Sequence, residues 1–395
     1  MNHNLIFLTL TVTLGILSFF LTRVVTKLAL KYDIVDHPRT ERFHTVSTPL
    51  LGGVAINLSF LTGSLFYFPL HGSVLLLASI LGLIAVLKQK RNAFLLIASL
   101  SMAVYTALVI FFPLNGSHNW LYLLGGSQIV FFTGLFDDAI KEMGAGIKMP
   151  LQLAAALYFV LPGQVVTFFP FPLNYIVTVF WIVSLINAFN LIDGMNGLAA
   201  GVAFLSSVFF GLISHYTGQV TLSYICFIFA GAILGYIPDN FPKARLFMGD
   251  TGSMYLGFTL GAIAIFGTWK TNAPAISLAV PLMVLMYPLF DVGLVMFNRI
   301  IERRPIWVGG NDHSHHRFVN MGLSPFDAVL FIYLIAFYNG FSAYFITMVS
   351  YRSGVKMLVF TIAIMALLGI RLTFVKVKAK TPVPSINKGD PSITD

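Results

Sequence analysis

The sequence predicts an all-α polytopic membrane protein, and three observations carry that prediction. Of 395 residues, 57% are hydrophobic and only 10% charged, with a mean hydropathy of +0.85, against roughly 25% charged residues in a soluble domain. The apolar residues gather in successive runs near the ~20 residues that cross a bilayer as helix. These runs do not alternate polar with apolar, which excludes a membrane β-barrel.

Taken in order, the apolar runs fall near 5–22, 50–69, 73–87, 93–114, 119–136, 149–168, 171–190, 196–214, 219–237, 253–268, 274–298, 325–348 and 356–374. That makes thirteen expected spans, with eleven to thirteen the range that helix-end uncertainty allows. No basic segment precedes the first run and no small-residue cleavage signal follows it, so it reads as a retained helix with the N-terminus outside. Threading from there puts all but Lys270, Arg352 and Lys356 of the 24 Lys and Arg on or near the inner side, as the positive-inside rule requires. Residues 1–375 read as one integral membrane domain, and the polar tail 376–395 as a disordered cytoplasmic end. The net charge of +9 is then a topological signal that also suits membrane lipids and phosphates; nothing points to nucleic acid. Cys226 is the only cysteine, so an intramolecular disulfide is excluded.

On this threading the outer loops are short and nearly bare, whereas the acidic residues collect at inner loops and inner span ends. Asp137 and Asp138 close the fifth span in FTGLFDDAIKE. A helix C-terminus disfavours negative charge, and adjacent carboxylates need a positive partner to stay ionised. A divalent cation or a phosphate-transfer site meets that need. Lys148 and Gln152, four apart at the start of the sixth span, share a helix face, and beside aspartates the ammonium suits phosphate. In NAFNLIDGMNG, Asn187, Asn190 and Asp193 stand three apart where a span ends, and Gly194 and Gly197 allow a turn. FMGDTGS places Asp250 between glycines before the tenth span; it lacks the Gly-Lys-Ser/Thr of a P-loop, and Asp250 or Thr251 is the expected helix cap. NDHSHHRF supplies His313, His315, His316 and Arg317. It resembles a metal tract, but no HExxH accompanies it, and imidazoles with a guanidinium equally suit a nucleotide phosphate or a sugar.

Together and in this order, these segments resemble the polyprenyl-phosphate N-acetylhexosamine-1-phosphate transferases, from about Asp36 to Ser324. The resemblance implies an enzyme with a cytoplasmic-face cleft in the plasma (inner) membrane. Such an enzyme moves N-acetylhexosamine 1-phosphate, N-acetylglucosamine foremost, from a UDP-sugar to undecaprenyl or another polyprenyl phosphate and releases UMP, opening cell-surface polysaccharide synthesis. Magnesium is the implied cofactor, with manganese as its substitute, and a homodimer is allowed. Carried over by position, Asp137, Asp138, Asn190 and Asp193 are catalytic. Asp250, with Asp193, binds the metal. Asn187, Lys148, His313, His315, His316 and Arg317 hold substrate.

Four departures stand out. Asn196 replaces the family's second Asp in the Asn-x-x-Asn motif, and the interval from Asp138 to Gln152 is one residue longer than usual. The segment from Gly53 to Asp137 is longer by about two spans, with KQKR at 88–91 as an added inner turn. HTVSTPLLGG lacks the Lys-Lys-Gly-Thr-Pro-Thr-Met-Gly-Gly pattern of the peptidoglycan branch, which favours an aminosugar over the muramoyl pentapeptide. The rival from another class is a secondary transporter of an anionic solute; transporters place polar groups near the midplane, whereas these gather at one face.

Overall fold

The computed structural model describes residues 3–36, 47–111, 118–140, 143–267, 269, 274–305 and 310–375. The inner-loop segment around His44 and the tail from 376 lie outside the described residues. Among the described residues fifteen helices follow one another with a two-stranded ribbon. They are α1 (His3–Lys31), α2 (Gly52–Ser64), α3 (Pro69–Leu87), α4 (Arg91–Phe111), α5 (His118–Ile140), α6 (Ala145–Val160), α7 (Leu173–Ile192) and α8 (Leu198–Tyr216). After them come α9 (Val220–Asn240), α10 (Gly249–Phe266), α11 (Pro274–Val284), α12 (Met286–Ile301), α13 (Ser314–Asn320), α14 (Pro325–Met348) and α15 (Tyr351–Thr373). Strands β1 (Val35–Asp36) and β2 (Thr48–Pro49) pair antiparallel, Val35 opposite Pro49.

The chain is a multi-pass membrane protein, but the expected span count needs correction. Among the described residues nine helices are long and apolar enough to cross a bilayer, or ten if α11 and α12, bent by 77°, form one span. Helices α2, α6 and α10 fall short. At 13 residues, α2 rises about 20 Å against a hydrocarbon core of about 30 Å, and α10 begins Gly-Asp-Thr-Gly-Ser. Both are buried along almost their whole length. Walled by protein instead of lipid, they need match neither the thickness nor the apolarity of the bilayer.

Polar and small residues knit this interior. Gln128 of α5 accepts from the Asn57 amide of α2 at 3.2 Å and donates to the Ser79 hydroxyl of α3 at 2.7 Å. The α3–α4 pair is thereby joined to the core, with α4 outermost. Helix α1 runs alongside α9, Ser18 and Thr11 donating to the Ala232 and Phe227 carbonyls. A Cβ at Gly231 would lie 2.6 Å from the Thr11 carbonyl oxygen, so only glycine permits this approach. The bend between α11 and α12 follows from Pro288, which has no N–H for the Val284 carbonyl. Ser206 of α8 supplies the missing donor at 3.3 Å.

Helix ends that carry the sequence motifs converge at one end of the bundle. Residues 49–53 pair with 247–248: Phe247 N–H donates to Pro49, and the Gly52 and Gly53 N–H groups donate to the Phe247 and Met248 carbonyls, at 2.8–3.0 Å. The start of α2 therefore lies against the start of α10. The end of α5, the start of α6 and the end of α7 close around the same point.

Candidate active site

Gly134 lets α5 and α10 touch backbone to backbone, and Gly249 leaves room for the Asp138 side chain. A Cβ at Gly134 would sit 2.5 Å from the Asp250 carbonyl oxygen, and one at Gly249 would sit 2.7 Å from the Asp138 carboxyl carbon. Gly249 also has φ +70°, a conformation that a side chain disfavours. At this crossing Asp138, 6% exposed, accepts from the backbone N–H of Asp250 at 2.9 Å and of Thr251 at 3.0 Å. It also accepts from the Thr251 hydroxyl at 2.5 Å. The orphan donors that begin α10 are thus answered from another helix. The expected cap at Asp250 or Thr251 is replaced by Asp138, which the sequence could not show because the cap comes from 112 residues away.

Asp137, by contrast, faces outward to Lys148. The ammonium of Lys148 stands 2.7 Å from Asp137 Oδ2 and 2.6 Å from Asp250 Oδ2. On the other side of Asp250, the Asn190 amide donates to Oδ1 at 2.9 Å and to the Ser253 hydroxyl at 3.0 Å. Carboxylate oxygens of Asp137, Asp138 and Asp250 all lie within 4.8 Å of one another. Hard oxygen donors at this spacing fit a divalent cation, and the Lys148 ammonium shows that positive charge is accepted there. Asp138 is engaged by the helix start, so Asp137 and Asp250 are the carboxylates available to a metal.

The remaining motif residues divide between bracing and facing this cluster. Asn187 donates to Gln152 Oε1 and to the Val183 carbonyl, both at 2.8 Å, and so ties α7 to α6. Asp193 ends α7 as its C-cap and is not a member of the three-carboxylate group. Asn196 donates to the Pro242 carbonyl at 3.2 Å, a bond that an aspartate could not make. The departure from the family pattern is therefore accommodated locally. Gly197, φ +77°, starts α8, and its N–H donates to Asn240 at 2.7 Å.

The histidine loop leans on the same turn, since a Cβ at Gly194 would be 2.8 Å from His315 Nε2. Sequence reading overlooked its anchor, Asp291, although an acid inside an apolar run is the signal for one. Asp291 is fully buried; it pairs with His313 Nδ1 at 2.7 Å and accepts from Ser314 N–H at 2.6 Å and the Ser314 hydroxyl at 2.5 Å. A second buried acid, Asp312, is gripped by Arg299 through two bonds at 2.7 and 2.8 Å. Arg317 donates to the Asp312 carbonyl at 2.8 Å and to the Leu372 carbonyl at 2.9 Å, clamping the loop to the end of α15.

The imidazoles differ in consequence. Burial disfavours the charged form of His313, but the hydrogen bond and charge of Asp291 outweigh it and raise its pKa above the ordinary value. Burial, with His316 and His313 nearby, pushes His315 down to about 3. Burial and then His313 push His316 down to about 4. Burial alone would raise the Asp312 carboxyl, yet Arg299 holds it below the usual range.

The crossing thus unites Asp137, Asp138, Asp250, Lys148 and Asn190, with Asn187 bracing it. Lys148 stands with the aspartates; the histidines and Arg317 form a separate group beside Gly194. A cavity of about 700 Å³ lies at the opposite end of the bundle, among Val165–Phe169, Trp181 and Ala264–Gly267. Among the described residues it is lined by no titratable side chain, in contrast to the aspartate end.

Residues 120–268 match glycosyl transferase family 4, the segment that contains the crossing. A Bacillus subtilis (strain 168) protein named "Probable undecaprenyl-phosphate N-acetylglucosaminyl 1-phosphate transferase" is 28% identical over 82% of this chain and 80% of its own length. A Mycolicibacterium smegmatis decaprenyl-phosphate N-acetylglucosaminephosphotransferase is 29% identical over 82% of this chain and 77% of its own. An Escherichia coli (strain K12) undecaprenyl-phosphate alpha-N-acetylglucosaminyl 1-phosphate transferase is 28% identical over 83% and 82%.

Proposed function

We propose that the chain is a polyprenyl-phosphate N-acetylhexosamine-1-phosphate transferase, as its likeness to glycosyl transferase family 4 and to the three relatives supports, and that it transfers N-acetylglucosamine 1-phosphate from UDP-N-acetylglucosamine to a polyprenyl phosphate. The observation that carries this reading is the convergence of Asp137, Asp138 and Asp250 with Lys148 inside the family segment. The sugar follows the three relatives' names. The gathering of Lys and Arg in the expected inner loops supports a cytoplasmic-facing site, and we take the membrane to be the plasma membrane.

The acceptor phosphate has a second pKa near 6, so near neutrality much of it is a nucleophilic dianion and no general base is required. One of its oxygens attacks the sugar-bearing phosphorus of the UDP-sugar. The bond from that phosphorus to the bridging oxygen breaks, and UMP departs with the electron pair. Asp137 and Asp250 would hold a divalent cation such as magnesium, which would supply charge to offset the repulsion between the two phosphates and steady the leaving group.

The protein's own groups do the rest. Asp138 fixes the first turn of α10, so Asp250 is held in place without being neutralised. Asn190 orients Asp250 through Oδ1. Lys148 brings a second cation to the reacting phosphates. His316, neutral and only partly buried, is the imidazole of the loop best placed to accept a hydrogen bond from the nucleotide or sugar.

Purified protein in nanodiscs, given UDP-N-acetylglucosamine and undecaprenyl phosphate, should release UMP only when the lipid acceptor and magnesium are present. Asp250→Asn should lower kcat by roughly 100-fold to 1000-fold with little change in thermal unfolding. Absence of acceptor-dependent UMP release with every UDP-N-acetylhexosamine tried would overturn the reading.

A further inference from the structure

Helices α3 and α4 do more than cross the bilayer. Between α4, α5 and α6 lies a groove of about 430 Å³, lined by Arg91, Phe94, Met102, Phe132, Phe136 and Ile147 among others, and among the described residues Arg91 is its only charged member. From Arg91 to Met102 the groove follows eleven residues of α4, a rise of about 16 Å, or half of a hydrocarbon core of about 30 Å. It is therefore one leaflet deep. It opens at the same end of the bundle as the aspartate crossing, since Thr133, one turn before Asp137, and Ile147, next to Lys148, both line it.

At that mouth stands the basic turn that the transferase reading leaves without a task. Lys88, Gln89, Lys90 and Arg91 are all exposed. The turn is ordered, with Gln89 at φ +53° and backbone bonds from Lys88 to Ile84, Gln89 to Val86 and Lys90 to Ala85. The Arg91 guanidinium lies 5.7 Å from the centre of the Phe136 ring, at the junction of charge and groove. Among the described residues none of the three cations has a carboxylate partner, in contrast to Lys148 with its two.

We infer that this groove binds one chain of an anionic glycerophospholipid, whose phosphate is held by the Lys88–Arg91 turn. Basic pockets between membrane helices at the inner surface recognise such headgroups. The depth of one leaflet matches an acyl chain entering from the same surface, whereas a polyprenyl chain would overrun it several-fold. An occupied groove braces α6 against α5, the two helices that present Lys148 and Asp137. Binding itself does not depend on the transferase reading.

The test uses the full chain in detergent, titrated with phosphatidylglycerol and with phosphatidylcholine of the same acyl chains. Binding is followed by native mass spectrometry and by thermal unfolding, without turnover. Phosphatidylglycerol should bind more tightly and raise Tm further. Lys88→Gln, Lys90→Gln and Arg91→Gln combined should weaken phosphatidylglycerol roughly tenfold or more and leave phosphatidylcholine unchanged. Because these side chains are exposed, the variant should fold. Ala98→Phe, which fills the groove wall, should weaken phosphatidylglycerol with the charges intact. Equal binding of the two lipids by the unaltered chain, or a preference that survives the triple change, would overturn the proposal. Stoichiometric displacement of phosphatidylglycerol by polyprenyl phosphate would do the same, and would assign the groove to the acceptor.

Discussion

The aspartate crossing and the histidine loop sit side by side, yet they treat their acids in opposite ways. At the crossing, Asp137, Lys148 and Asp250 keep between 16% and 24% of their side-chain surface exposed and share one ammonium among two carboxylates. At the loop, Asp291 of α12 and Asp312 are sealed, Asp291 against His313 and Asp312 against Arg299, with Arg304 adding a bond at 3.2 Å. A shared, half-open ammonium can be exchanged for another cation or turned toward a phosphate. A sealed pair cannot, because separating it would leave a buried charge uncompensated. The crossing is therefore built to exchange charge with a ligand, whereas Asp291 holds the His313 imidazole still and Asp312 ties the loop to Arg299 of α12. Neighbouring residues of one motif divide in the same way: Asp137 faces outward while Asp138 grips α10.

The sharpest way to break this comparison is to neutralise the two adjacent aspartates separately. Asp137→Asn should lower kcat by about 100-fold or more while thermal unfolding stays within a degree or two. Asp138→Asn turns an amide donor toward three donors at the start of α10. Leaving such groups unmatched costs about 1–3 kcal/mol, so Tm should fall by several degrees as activity is lost. If Asp137→Asn proved the more destabilising of the two, the division between facing and gripping residues would fail.

How much of this was legible beforehand varies by physical cause. Every helix but α13 could be located from the apolar runs alone, α11 and α12 as one run, because burial in lipid and burial in protein leave the same signature. For that reason the runs could not reveal that α2 and α10 are enclosed and too short or too polar to count as spans. Asp137, Lys148, Asn190 and Asp250 were all visible as residues, since polar groups at span ends are costly and conspicuous. Their pairing was not, since it joins α5, α6, α7 and α10 across more than 100 positions. Arg317 was expected to hold substrate, yet its Nε and Nη1 meet backbone carbonyls of the loop and of α15. That assignment depends on where a chain segment 55 residues away comes to rest. Asp291 is legible as an acid within an apolar run, but its pairing with His313 joins positions 22 residues apart.

A smaller effect is expected from the loop's anchor. Asp291→Asn keeps the shape but removes the charge that holds His313 and weakens the bonds to Ser314. Loss of one such hydrogen bond to a charged group corresponds to roughly tenfold. The KM for the UDP-sugar should rise by about that factor, with a smaller change in kcat and none in the KM for polyprenyl phosphate. Equal effects on the two substrates would show that Asp291 supports the whole inner face and not the loop.

The smallest effect is the most discriminating, because it is a near absence of change. With His315 at about 3 and His316 at about 4, both rings stay neutral from pH 7.5 to 5.5. UDP-sugar binding measured by calorimetry without acceptor should then vary by less than about twofold across that range. An unburied imidazole, with a pKa near 6.5, would be about 90% protonated at pH 5.5, and binding through its lone pair would weaken about tenfold. Stability responds differently. Above pH 6.5 these two rings are neutral both folded and unfolded, so their contribution is fully present. As the pH falls from 6.5 toward 4, the unfolded chain takes up protons that the folded loop refuses, and stability declines through that window. His313 has the opposite sign: its raised pKa adds stability below the unfolded value, and that share is lost as the pH rises through the folded one. Flat binding together with declining Tm between pH 6.5 and 5 is therefore the expected pair. A tenfold loss of binding centred near pH 6.5 would mean that a ring of the loop stands free in solvent, and the contrast between a held loop and an exchanging crossing would have to be given up.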